Sequence, residues 1–289
     1  MCYYETIIRG ETMKRFLWIL CIFIICLTGC EVAGEKESGN SEIEDSRRLV
    51  IYTAYSEEVY KPLIEEFEER TGLWTEVHQG GTLTLLEEMK AGARCDVFFG
   101  GAHFLLEENE SLFSTVTEHS CTPIVLVYNP KLVKKTPPEG WADLLLPVWK
   151  GEIAFADPAK SGSAYMALAG LTEVLSGEED ALRKQFTENL NGNYLEFSRD
   201  VVLEVGNGNY YIGVTLEETA LRSIAQGYDI SVVYPEEGIL LTEGMAIAKG
   251  TARGENAERF IEFMQSADVK RYMEEQLYRH VPEEWEVTR

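Results

Sequence analysis

An α/β fold with mainly parallel sheets flanked by helices is predicted by three features of this 289-residue chain. Apolar spacing switches repeatedly between a period of two and a period near 3.6, the pattern of strands alternating with amphipathic helices. Small residues recur where strands give way to helices, as helix N-caps require. No segment after the N-terminal leader reaches the roughly 20 apolar residues that a membrane span needs.

The first thirty residues stand apart from that pattern. Lys14 and Arg15 precede "FLWILCIFIICL" (16–27), too short for a bilayer span and of the right length for a secretory h-region. Met13 stands where such a leader would start. "LTGC" (27–30) puts small residues before Cys30 and looks like the lipobox at which bacterial lipoproteins are cleaved and acylated, here on Cys30. Residues 31–48 are charged and aperiodic, which predicts a flexible tether.

The folded part begins with the strand "LVIYTAY" (49–55). Ser56 is the N-cap of a helix to Arg70, with Val59, Leu63 and Phe67 on one face and Gly72 past its end. "WTEVHQ" (74–79) is a strand, "GGT" (80–82) a turn, "LTLLEEMKAG" a helix, and "DVFFGG" (96–101) a strand. "TPIVLVYN" (122–129) is the next strand, followed by a Pro-rich stretch (130–138) where the chain passes into a second lobe. "EIAFADP" and "YLEFS" read as strands; "SGSAYMALAGLTEVLSG", "EEDALRKQFTENL" and "SRDVVLEVGNG" read as helices. "YYIGVTL" is a strand leading into the helix "EETALRSIAQG". "DISVVYPEEG" and "GMAIAKG" are the last strands, before helical patterns over 256–266 and 267–278.

Composition narrows the partners. With 49 Asp and Glu against 26 Lys and Arg, the formal charge is −23, which disfavours nucleic acid and bare anionic membranes. A small anion is still admissible, because local backbone dipoles outweigh a distant net charge at short range. Of six cysteines, Cys95 and Cys121 alone fall in the folded part, compatible with one bridge or with two buried thiols.

Catalytic signatures are missing: no G-x-S-x-G, phosphate-loop lysine, H-E-x-x-H or C-x-x-C occurs. "GNGNYY" (206–211) lacks the third glycine of a dinucleotide fingerprint and precedes a strand. His78, His103, His119 and His280 show no paired spacing. No catalytic residue, metal or cofactor is expected. What stands out is four strand-to-helix junctions: Ser56-Glu57, Gly80-Gly81-Thr82, Gly100-Gly101 and Ser161-Gly162-Ser163. Free N–H groups at a helix start, beside a residue small enough for close approach, can hold an oxyanion without a basic side chain. Lys160 and Arg199 stand nearby to add charge.

Together the lipobox, "VYKPLIEEFEERTG", "GGT", "DVFFGG", "GWADLL", "DPAKSGSAY", "GNYYIGVTLEE" and "YPEEG" resemble the extracellular solute-binding proteins of ABC importers, in the type II branch that includes ferric-iron, phosphonate and sugar-phosphate binders. The resemblance covers residues 49–289. It implies a two-lobe type II periplasmic-binding-protein-like fold with the ligand cleft between lobes, divided here as 49–122, 123–236 and 237–289. The implied partners are a small solute, an ABC permease and its ATPase, and the membrane through lipid on Cys30, with the chain itself monomeric and extracytoplasmic.

The iron binders place tandem tyrosines after the "G-V" of the strand, where this chain has Thr215, Leu216, Glu217 and Glu218. Tyr210 and Tyr211 precede that point, and strand neighbours point to opposite faces, so the pair is read as structural. The expected ligand therefore carries a phosphate or phosphonate, held by Ser56, Gly81, Thr82, Gly101, Ser161, Gly162 and Ser163. Its other end would carry hydroxyls or an amine, met by Thr215, Glu217 and Glu237. The alternatives are a ferric-iron or polyamine carrier, or an extracytoplasmic sensor for a membrane kinase.

Overall fold

A computed structural model describes residues 47–175, 177–281 and 287–288. The leader, Cys30 and residues 31–46 of the tether lie outside the described residues. The described residues from Leu49 onward form a compact unit. Among the described residues no helix is long and apolar enough to cross a membrane.

The strands are β1 (Arg48–Thr53), β2 (Trp74–Gln79), β3 (Val97–Ala102), β4 (Phe113–Tyr128), β5 (Ile153–Ala154), β6 (Ile212–Leu216), β7 (Ser231–Val233), β8 (Ile239–Ala248) and β9 (Val287–Thr288). The helices are α1 (Glu57–Thr71), α2 (Thr82–Lys90), α3 (His103–Glu108), α4 (Gly162–Val174), α5 (Glu179–Leu190), α6 (Asp200–Gly206), α7 (Glu217–Ala225), α8 (Gly254–Met264) and α9 (Ala267–Leu277). "GWADLLLPVWKG" becomes two 3-10 turns, Trp141–Leu145 and Pro147–Trp149. "YLEFS" forms no strand; it keeps a single bridge from Leu195 to Ala156.

Among the described residues all strands join one mixed sheet in the order β2-β1-β3-β8-β4-β6-β5, with β7 and β9 also on β4. β1–β3 and β5–β6 run parallel, as the strand–helix–strand order requires. The long strands β4 and β8 run antiparallel to each other and to their neighbours β3 and β6. β4 pairs with β8 from Phe113 to Ile124 and with β6 from Ile124 to Tyr128. Pro123, which has no N–H to give, stands at this changeover.

Local sequence explains the first units well. α1 buries Val59, Leu63 and Phe67 against Leu49, Ile51, Phe99, Phe260 and Met273. It ends at Gly72, whose φ of 67° lets its N–H reach the Glu68 carbonyl. A separate apolar cluster packs α6 (Val201, Val202, Val205) and α7 (Ala220) on Val125 and Val127 of β4. Gly100 sits at a bulge in β3 with φ of 75°, and a Cβ there would come within 2.5 Å of the Tyr55 ring. Cys95 and Cys121 are free thiols. Burial pushes the Cys95 thiol up to about 12, so it stays protonated and inert at neutral pH.

Candidate functional site

Three helix starts converge on one cleft. α1 begins after Ser56, α2 after Gly81 and α4 after Ser161, and all three cap residues line one cleft with Tyr55, Arg199 and Arg279. Each start leaves its first N–H groups without an intrahelical acceptor. Ser161 is buried, and its Oγ accepts from Ala164 N at 3.3 Å and pairs with Ser163 Oγ at 3.0 Å. The starts also press on each other. A Cβ on Gly81 would stand 2.2 Å from the Lys160 carbonyl oxygen, and one on Gly162 would meet Ala102 at 2.8 Å and Thr82 Oγ1 at 3.1 Å. These two glycines allow the "GGT" turn and the "KSGS" turn to touch.

The floor is a chain of alternating charge. Arg222 Nη2 meets Glu218 Oε2 at 2.8 Å, Glu218 Oε1 meets Arg279 Nη2 at 3.0 Å, and Arg279 Nη1 donates to Glu243 Oε2. Tyr55 donates to Glu243 Oε2 at 3.2 Å, Ser120 Oγ does so at 2.9 Å, and the Arg279 guanidinium lies 4.1 Å from the Tyr55 ring centre. Arg279 and Glu243 are only 2% and 3% exposed, so each requires the other. Burial works against the Arg279 charge, and Glu243, Tyr55 and Glu218 outweigh it. Burial also pushes the Glu243 carboxyl up, opposed by Arg279. The Nε atoms of Arg222 and Arg279 are buried donors with no hydrogen-bond partner.

Electrostatics at the α1 start favour negative charge. Burial alone would raise the Glu58 carboxyl, yet it lies below its usual range because its own backbone N–H, the Ser56 hydroxyl, Arg222 and Arg199 hold the anion. Arg222 also reaches Ser56 Oγ at 3.4 Å, and Arg199 lies over the Phe197 ring at 4.0 Å.

The remaining sequence candidates are distributed as follows. Thr82 is buried behind the cleft, where its Oγ1 accepts from Ala102 N at 3.3 Å. Gly101 is paired with Gly244 in the sheet, and a Cβ there would meet the Phe98 ring at 2.6 Å; it packs in the core. Thr215 and Ser163 line a small neighbouring cavity. Glu217 is largely buried and pairs with the exposed His280 Nε2 at 2.8 Å, while Glu237 is exposed and gives its backbone carbonyl to Trp141 Nε1 at 2.8 Å. Tyr210 packs against the α6 cluster and Tyr211 is exposed, both at the Ile212 end of β6, whereas Leu216 at the other end lines the cleft. Among the described residues no group of three or more His, Cys, Asp or Glu side chains is placed to hold a metal.

Sequence reasoning missed Arg279, Glu243, Glu218, Arg222 and Tyr55. One signal was there to read: Glu243 interrupts the otherwise apolar "ILLTEGMAIA" strand, and a carboxylate in a buried strand needs a partner. Arg279, in a turn after α9, carries no such signal.

A family model described as bacterial extracellular solute-binding protein matches residues 49–279. An uncharacterized protein of Haemophilus influenzae is 27% identical over 278 residues, covering 83% of this chain and 79% of its own. Among solved structures, a two-component system protein that mediates signal transduction superposes with a TM-score of 0.72 at 24% identity, over 81% of this chain and 87% of that one. The periplasmic binding protein AfuA from Actinobacillus pleuropneumoniae, bound to fructose-6-phosphate, does so with 0.73 at 20%, over 81% and 84%. A ferric binding protein from Campylobacter jejuni follows with 0.67 at 18%, over 81% and 86%. These likenesses give the fold, that of the two-lobe type II periplasmic binding proteins.

Proposed function

Because this chain belongs to the bacterial extracellular solute-binding protein family, we propose that it is the binding component of an ABC import system for a small phosphorylated or phosphonate solute. The observation that carries this reading is the convergence of three helix starts with Arg199 and Arg279 on one cleft, backed by Arg222 through its contacts with Glu218 and Ser56. Helix starts supply N–H groups and a favourable dipole, and guanidiniums supply charge and paired donors, which is the chemistry that suits phosphate oxygens. Glu58 supports it, since that corner already lowers the pKa of a carboxyl.

The solute is captured by closure of two lobes, with the lobe boundaries placed near 122/123 and 236/237, where β4 changes partners and β8 begins. A lipid on Cys30 would hold the protein outside the membrane, where it acts as a monomer, by binding and not by turnover. The exchange of solute would be with a permease and its ATPase.

Spermidine and ferric iron fit this cleft less well, because arginines reach into it and the tyrosine pair stands at the far end of β6. A second reading, sensing for a membrane kinase, draws on the resemblance to the two-component system protein. It uses the same ligand chemistry with a different partner. Thermal unfolding with each solute class tests the ligand. A ligand present at a hundred times its Kd adds about 2.7 kcal/mol of stability. Sugar phosphates, phosphoglycerate or phosphonates should raise Tm, and a rise with spermidine or ferric citrate alone would contradict the proposal.

A further inference from the structure

Beside the arginine-floored cleft lies a second, smaller cavity, walled by apolar Ile124, Phe155 and Val214 and by the hydroxyl residues Ser163, Ser198 and Thr215. Ser198 lines the cleft as well, so the two spaces adjoin. The cavity has room for about one water-sized group. Thr215 is 4% exposed, and its Oγ1 has no hydrogen-bond partner. Buried hydroxyls are nearly always bonded, so this one calls for an acceptor or donor from outside the protein. No charged side chain lines the cavity, so an ammonium placed there would be unpaired in an apolar wall.

We propose that this cavity seats a hydroxyl group of the solute whose phosphate occupies the cleft, with Thr215 Oγ1 as its partner. The inference rests on the reading of the cleft as a phosphate site and narrows it. The solute is then a polyhydroxy phosphate ester. Apolar walls beside hydroxyls match the mixed C–H and O–H surface of such a compound.

The test titrates wild type, Thr215→Val and Thr215→Ser with glucose 6-phosphate, fructose 6-phosphate, 3-phosphoglycerate and n-propyl phosphate, the last of which has no hydroxyl beyond its phosphate. Thr215→Val should weaken the tightest hydroxylated ester about three- to tenfold, the range expected for one lost hydrogen bond. It should leave n-propyl phosphate within about twofold, and Thr215→Ser should keep the discrimination. Because valine removes an unbonded buried hydroxyl at nearly constant shape, the Tm of the ligand-free variant should not fall. An equal effect on all esters, or on none, would overturn the hydroxyl subsite and leave a cavity for a single water. Failure of every phosphate ester to bind wild type would overturn the phosphate site itself and this inference with it.

Discussion

Arg279, in the turn after α9, donates to Glu243 of β8 in the floor of the cleft, with both side chains almost fully buried. The pair links the C-terminal turn to the central strands, and Glu218 ties the same guanidinium to the start of α7 at 3.0 Å. Removing one partner of a buried pair leaves an uncompensated charge, which costs about 3–5 kcal/mol. Urea denaturation of Arg279→Met should show a loss of that size. Adding Glu243→Gln should restore part of it, because the stranded carboxylate is then gone. If the single variant is as stable as wild type, the floor is not held by this pair.

Glu58 draws on Ser56, Arg222 and Arg199, the same groups that the solute phosphate would use. Its carboxyl is held below the usual range by its own N–H, Ser56, Arg222 and Arg199 despite the opposing effect of burial. Glu58→Gln should therefore bind a phosphorylated solute several-fold more tightly than wild type, with a stronger gain at low ionic strength. Weaker binding in calorimetry would mean that Glu58 contacts the solute instead of opposing it.

Gly81 and Gly162 let two turns meet. An alanine at 81 would bring Cβ within 2.2 Å of the Lys160 carbonyl oxygen, a backbone atom that gives way only if the two turns part. Gly81→Ala should lower affinity by at least about tenfold while moving the Tm of the ligand-free protein little, since the turns can part. A large fall in Tm with unchanged affinity would show that the contact stabilises the fold and plays no part in capture.

His119 gives the protein an acid limb. Burial, then Arg279 and Lys270, lower its pKa from 6.5 to about 3. Below pH 6.5 the unfolded chain takes up a proton that the folded one refuses, so stability falls as pH drops from about 6.5 toward 3. The slope from this group is at most about 1.4 kcal/mol per pH unit. Glu243, whose carboxyl is pushed up by burial, offsets part of that loss in acid. His119→Gln should flatten the curve relative to wild type over pH 6.5–4.5. Imidazole resonances of His119 that titrate near 6.5 in the folded protein would contradict the assignment.

Much of the fold was legible because it is local. β2 was read at its observed limits, and α1, α4 and α7 to within a few residues, from apolar spacing and the small residues at their starts. β4 was read only from Thr122, because "FSTVTEHSC" mixes polar and apolar residues on a strand that bends through a bulge. The antiparallel course of β4 and β8 depends on contacts far apart in sequence, which periodicity does not encode. At the site, caps such as Ser56, Gly81 and Ser161 were visible because capping chemistry is short-range. The floor was not. Arg279 meets Glu243 and Glu218 across separations of 36 and 61 residues, and nothing in the local sequence joins them.

The central claim is that the helix starts and arginines of this cleft bind a phosphate group. The most direct measurement is calorimetric titration of glucose 6-phosphate, 3-phosphoglycerate, 2-aminoethylphosphonate, inorganic phosphate, spermidine and ferric citrate into wild type and Arg222→Gln. Saturable binding of a phosphate ester to wild type, weakened at least about tenfold in Arg222→Gln, is the expected result. Binding of spermidine or iron alone, unaffected by the loss of Arg222, would contradict it.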